Sequence, residues 1–120
     1  MANMVKSYDY TKNQKQILIG MDSYYIALPA IINGTAGEKA LAGQPLAGDI
    51  TDRDTGFSAV TGEAIGVLLH DVVFDEDGKA NGTLVLAACL DLLKLEDDVV
   101  TAIEGSTGLD RIIFVKGSAI

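Results

Sequence analysis

Three apolar runs decide the fold: residues 65–74 (IGVLLHDVVF), 83–90 (TLVLAACL) and 112–115 (IIFV). A strand points successive side chains to opposite faces, so a sheet wetted on one side alternates apolar and polar residues. These runs do not alternate. Ile65, Val67, Leu69 and Val73 share one parity while Leu68, Val72 and Phe74 take the other, and Leu84 and Leu86 interleave with Val85 and Ala87. Both faces of each strand are therefore expected to be covered. Between the second and third runs the chain offers one short helix. Leu95, Val99 and Ile103 recur every four residues, Asp97 or Asp98 can cap the free amides, and Gly105 is placed to end the helix in the left-handed conformation. About two turns of helix cover little of a sheet, so a second copy of the chain is the expected cover. Ile65, Val67, Leu69, Leu84, Leu86, Ile112, Ile113 and Phe114 are the residues expected in the core or at a subunit interface.

Outward from these runs, the punctuation is that of short strands. Asp75-Glu76-Asp77-Gly78-Lys79 and Asn81-Gly82 read as one long hairpin loop, with Asp-Gly and Asn-Gly supplying positive φ angles. Residues 17–19 and 24–28 read as strands, the second closed by Pro29, and Ile31 and Ile32 lead into a turn at Asn33-Gly34. Ala36-Gly37, Ala42-Gly43 and Ala47-Gly48 are too few and too close for a solenoid repeat and read as tight turns, with Pro45-Leu46 on a sheet edge. Residues 49–58 form a polar loop. Residues 1–16 show no period and gather Lys6, Lys12 and Lys15 around Tyr8 and Tyr10, which suits an extended arm. The expected fold is mainly β (β-rich α+β): a compact domain of short strands over residues 17–120, forming a sheet or barrel-like sandwich, with one short helix near its C-terminal end and the arm before it.

The 120 residues suit one domain with a modest core. That core is aliphatic, since 48% of the chain is hydrophobic but only 6% aromatic, without Trp. A net charge of −8 argues against nucleic acid and against an anionic membrane surface, both of which need clustered Lys and Arg. It suits solubility at high copy number. Cys89 is alone and lies in an apolar run, so no internal disulfide is available and a buried structural thiol is expected. The first residues carry no long apolar run, so neither a signal peptide nor a membrane span is expected, and synthesis in a cytoplasm is.

Tests for chemistry are negative. The acids of residues 75–77 are consecutive, and the twelfth position from Asp75 is Leu86, which does not fit a calcium loop; Asp49, Asp52 and Asp54 have no later acid to complete a shell. One Cys and one His cannot build a zinc site. Ser58, His70 and Asp71 spell a triad, but nothing puts Ser58 on a nucleophile elbow, and His70 reads as a packed or interface imidazole. A trimeric nucleotide hydrolase would need a Gly-rich loop bearing Ser and Arg, and Arg53 and Arg111 sit in none. Lys79, between Gly78 and Ala80 in an acidic turn, lacks the flanks of a biotinyl or lipoyl carrier lysine. No enzyme activity, cofactor or metal is expected.

Gly43-Gln44-Pro45-Leu46-Ala47-Gly48 and Ala64-Ile65-Gly66-Val67-Leu68-Leu69-His70-Asp71-Val72 together resemble the head fibre and capsid decoration proteins of tailed bacteriophages. Gly82-Thr83-Leu84-Val85-Leu86 and Leu109-Asp110-Arg111-Ile112-Ile113-Phe114-Val115-Lys116 extend the resemblance over about two thirds of the chain. The family commonly has a Gly-containing strand before its final helix, and here Ala87-Ala88-Cys89-Leu90-Asp91 departs from that. The resemblance implies a virion structural protein, a homotrimer that binds the major capsid protein on the outer surface of the assembled head and reinforces or decorates it, with no catalytic residues. Tyr8 and Tyr10 in the basic arm are the expected capsid contacts, with Tyr24 and Tyr25 as the alternative. A different expectation is a host-facing fibre or adhesin base that binds surface carbohydrate, for which those four tyrosines are the available aromatic platforms.

Overall fold

The computed structural model describes residues 17–18 and 25–116; the expected arm at residues 1–16 lies outside them. Among the described residues there are eight strands: β1 (Ile26–Asn33), β2 (Lys39–Ala40), β3 (Pro45–Ala47), β4 (Phe57–Ala59), β5 (Gly66–Leu68), β6 (Val72–Val73), β7 (Lys79–Asp91) and β8 (Ile112–Val115). A 3-10 turn (Leu92–Lys94) and one helix, α1 (Asp97–Glu104), lie between β7 and β8. The protein is mainly β, as its apolar runs imply.

Five of these strands close a barrel. β1 pairs with β4, β4 with β3, β3 with β5, β5 with β7, and β7 returns to β1; only β1–β4 is parallel. Closure removes the sheet edges that such short strands would otherwise expose. The barrel interior holds Ile32, Leu46, Phe57, Leu68 and Leu84, each fully buried. Ala40 of β2 and Phe74, the residue after β6, join this cluster, and β2 and β6 pair with each other as a separate two-stranded ribbon.

A second core lies outside the barrel wall. Val67 and Val85 point away from the interior, and Ala88, Leu90 and Ile112 continue their surface; Ile17, Ala42, Leu95 and Val99 cover it. β7 serves both cores through a β-bulge. Ala27 pairs with Val85 but Ile26 pairs with Ala87, so Leu86 has no partner on β1. The extra residue exchanges the parity of the rest of the strand. Leu84 faces the barrel, whereas beyond the bulge Ala88 and Leu90 face the outer core. There β7 leaves the barrel and takes β8 as a parallel neighbour, with α1 in the crossover that a parallel pair requires.

This arrangement corrects the expectation that a second copy must cover β5 and β7. The chain covers both faces of β5 and of the barrel half of β7 itself, one by closing on itself and one with Leu95, Val99 and Ile17. One short helix suffices because the surface it must cover is only the outer strip of β5 and the end of β7.

Several local expectations are corrected as well. Residues 65–74 are not one strand: β5 ends at Leu68, Leu69 and His70 form a bend, and β6 comes after it. Asp71 sets that bend, its Oδ1 accepting the backbone N–H of Ala42 at 2.7 Å. Pro29 lies inside β1 rather than closing a strand. Its carbonyl accepts from Arg53 Nη1 at 3.0 Å, so the backbone at Pro29 faces away from β7 and no ladder bond is lost to the missing N–H. Asn33 ends β1, and the turn falls at Ala36-Gly37.

The hairpin before β7 is tighter than expected. Asp75 Oδ1 accepts from the amides of Asp77 and Lys79, at 2.9 and 3.0 Å, and Gly78 takes φ +74°. Asn81 and Gly82 belong to β7. Gly82 serves packing there: a Cβ would stand 2.9 Å from Ile32 Cγ1 and 3.0 Å from Leu68 Cδ1, in the filled barrel. In α1 the N-cap position falls to Glu96, which makes no side-chain capping bond, and Asp97 and Asp98 lie in the first turn. Gly105 has φ −88° rather than a left-handed φ. Ser106 completes the helix end instead, its Oγ donating to the Ala102 carbonyl at 2.6 Å.

Candidate functional site

The eight expected core or interface residues separate into three groups. Val67, Leu69, Leu84 and Ile112 are buried within the chain, while Ile65, Leu86 and Phe114 are partly buried against its two cores. Ile113 alone among them is exposed, at 59%. The reason is the position of β8. β7 holds one of its edges, the outer core takes Ile112, and nothing among the described residues pairs with its other edge.

Around Ile113 the sheet presents an apolar strip. Ile113 pairs with Cys89, and Ile26, also 59% exposed, pairs with Ala87. Side chains of paired residues share a face, so Ile26, Ala87, Cys89 and Ile113 lie together on the side of β7 opposite the outer core. Cys89 is half-buried there rather than enclosed, which corrects the expectation of a buried thiol. Arg111 and Lys116 flank β8 at its two ends, both exposed. Their side chains donate no hydrogen bond among the described residues. Arg53 and Lys79, by contrast, are tied down to the Pro29 carbonyl and to Asn33 Oδ1.

Beside the end of β8 is an open concavity of about 420 Å³ between the 3-10 turn and α1. Leu93, Leu95 and Val100 line it with apolar surface, and Asp97, Glu104 and Lys116 are its charged lining. Asp91 builds this corner. It is 4% exposed at the end of β7 and its Oδ1 accepts the Leu93 amide at 3.0 Å, turning the chain out of the strand. The consequence is that Leu93 projects outward, 64% exposed. A second concavity of similar size, about 420 Å³, lies where Ala47, Gly48 and Ile65 meet Thr107 and Gly108.

The tyrosines expected at a contact surface fall mostly outside the described residues: Tyr8, Tyr10 and Tyr24 do. Tyr25 is described, directly precedes β1, and is 41% exposed.

The catalytic and metal tests acquire geometry. Asp71 spends Oδ1 on the Ala42 amide, and Ser58 is an exposed residue of β4. His70 is half-buried and its Nδ1 has no hydrogen-bond partner; burial pushes its pKa below 6.5, and the Asp71 charge opposes that only in part. Asp49 is held below the ordinary carboxylate range by bonds from the Thr51 hydroxyl and amide, and Asp52 accepts from the Thr55 hydroxyl. These acids shape their own loop. Among the described residues no three His, Cys, Asp or Glu side chains are grouped to hold a metal, and no helix is long and apolar enough to cross a membrane.

The sequence did not signal the concavity or the outward Leu93, because Leu92-Leu93 reads simply as a continuation of the apolar run. Asp91 was the available sign, an acid where a strand must end. Family models, curated proteins and solved structures offer no match to this chain.

Proposed function

We propose that this chain is a structural protein that assembles with itself as a homotrimer and coats the outer surface of a tailed-phage head through the major capsid protein, with no catalytic role. The observation that carries this reading is β8, an apolar strand that leaves Ile113 exposed and has no partner on its second edge among the described residues. An open, apolar edge strand favours pairing or packing with another chain. The segments that resemble head decoration proteins contribute to β3, β5, β7 and β8, three of the five barrel strands and the strand that carries Ile113. Strong negative charge suits a protein displayed in many copies on a particle exterior. Symmetry then multiplies one modest contact into avidity.

The test is to mix purified protein with heads stripped of it and quantify what sediments. Saturable binding in a whole-number ratio to the capsid subunits is the expected result. Absence of binding at high concentration overturns the reading and brings the carbohydrate-binding alternative forward, with Tyr25 as the residue to substitute in a glycan-binding assay.

A further inference from the structure

Asn33-Gly34 and Asn81-Gly82 are chemically alike in the sequence and stand differently in the fold. Where Gly follows Asn, no side chain shields the next backbone nitrogen, and that nitrogen can attack the Asn amide carbon. Both glycines are fixed by packing. A Cβ at Gly34 would collide with the Phe74 ring, and one at Gly82 would crowd Ile32 and Leu68 inside the barrel. The fold therefore retains both labile pairs, and hydrogen bonding distinguishes them.

At Asn33 every participating group is engaged. Its Nδ2 donates to the Thr55 carbonyl at 3.0 Å, its Oδ1 accepts from Lys79 Nζ at 2.9 Å, and the Gly34 amide donates to the Gly78 carbonyl at 2.8 Å. Asn81 is exposed, and its side chain makes no hydrogen bond among the described residues. Only the ladder restrains the nitrogen beside it. Pro29 has no N–H and pairs with Thr83, so the alternation of an antiparallel ladder makes Ala30 and Gly82 the pair that exchanges bonds. Asn81 also lies near the start of β7, where local opening costs less than in the middle of a strand.

We propose that Asn81 is the site of a spontaneous covalent modification of the folded protein, deamidation through a succinimide formed with Gly82. The Gly82 nitrogen gives up its proton and bonds to Asn81 Cγ, and the Nδ2 atom leaves as ammonia. Water then opens the ring at either carbonyl. One product is an aspartyl residue, and the other is an isoaspartyl link in which the chain runs through the former side chain. Either adds negative charge to the outer face of β7. The isoaspartyl form also inserts a methylene into the backbone between positions 81 and 82, so the residues on its two sides cannot both keep their register with β1. The packing that demands Gly82 thus creates the covalent weak point of its own strand.

The experiment incubates the wild type and Asn81→Ser in mildly alkaline buffer, both folded and in urea. Peptide mapping then follows the mass gain of amide-to-acid exchange and the appearance of isoaspartyl links. Asn81 is exposed, so the variant is expected to keep its fold, checked by circular dichroism. In urea Asn33 and Asn81 should convert at similar rates, because each is followed by Gly. In the folded protein Asn81 should convert at least about tenfold faster than Asn33, whose bonds must open first. Aged wild type should unfold at a lower urea midpoint, while Asn81→Ser keeps its midpoint through the same incubation. Equal rates at the two sites in the folded protein, or faster conversion at Asn33, overturn the proposal. So does an Asn81 that stays intact while the unfolded chain converts, because the ladder bond at Gly82 is then protection enough. Conversion at Asn81 without a fall in the midpoint overturns the loss of register.

Discussion

β5 and β8 carry the same sequence signature and meet different fates. Both are short, apolar on both parities and without a charge inside. Gly66, Val67 and Leu68 of β5 are all buried, Leu68 in the barrel and Val67 in the outer core. β8 buries Ile112, half-buries Phe114 and Val115, and leaves Ile113 exposed. A two-sided apolar strand thus reports that both faces want cover, but not who supplies it. For β5 the chain does so. For β8 it stops halfway, and Ile113 is left in solvent.

The largest expected effect tests the closed half. Phe57→Ala empties the barrel interior next to Ile32 and Leu46, and should cost about 3–5 kcal/mol, read as a fall in the urea unfolding midpoint. A loss under about 1 kcal/mol would mean that the barrel is not the stabilising core. Next comes the direct comparison within β8. On dilute chain, where association does not add to stability, Ile112→Ala should cost about 2–4 kcal/mol. Ile113→Ala, one residue on, should change stability by no more than about 0.5 kcal/mol. Equal costs would erase the distinction between the two faces of the strand.

Gly82→Val tests how full the barrel is. Its side chain must enter between Ile32 and Leu68, and overpacking of this kind costs about 1–3 kcal/mol. A neutral substitution would show spare volume.

The smallest effect concerns the bend that separates β5 from β6. The folded state lowers the His70 pKa below the unfolded value of 6.5, so the unfolded chain binds the proton more readily. Its contribution is therefore fully present above pH 6.5 and is lost as pH falls from 6.5 through the folded value. The difference in unfolding midpoint between about pH 7.5 and about pH 5.5 should shrink in His70→Gln. An unchanged difference would assign the pH dependence to the carboxylates instead.

Much of this was legible along the chain. Runs of aliphatic residues between Gly, Asn and Asp gave the β class, and Leu95, Val99 and Ile103 gave the helix, because side-chain period and turn chemistry act over a few residues. Ile113 was legible as a core or interface residue, but nothing in Ile112-Ile113-Phe114-Val115 says which parity faces out. The parity of β7 was misleading for a similar reason. Leu86 looks like one more residue on the same face as Leu84, and only its unmatched place opposite Ala27 and Ile26 makes it a bulge. Gly82 reads as a turn residue until Ile32 and Leu68 close in on it.

Local periodicity and composition were enough to settle three things. Short apolar strands would form, one amphipathic helix would join the last two, and the surface would be acidic. Long-range contacts settled the rest. β1 returns to β7 to close the barrel, the bulge at Leu86 hands β7 from one core to the other, and Ile113 and Leu93 are left outside. Those outcomes depend on which distant segments meet, since a face is buried by whatever packs on it and not by its own composition.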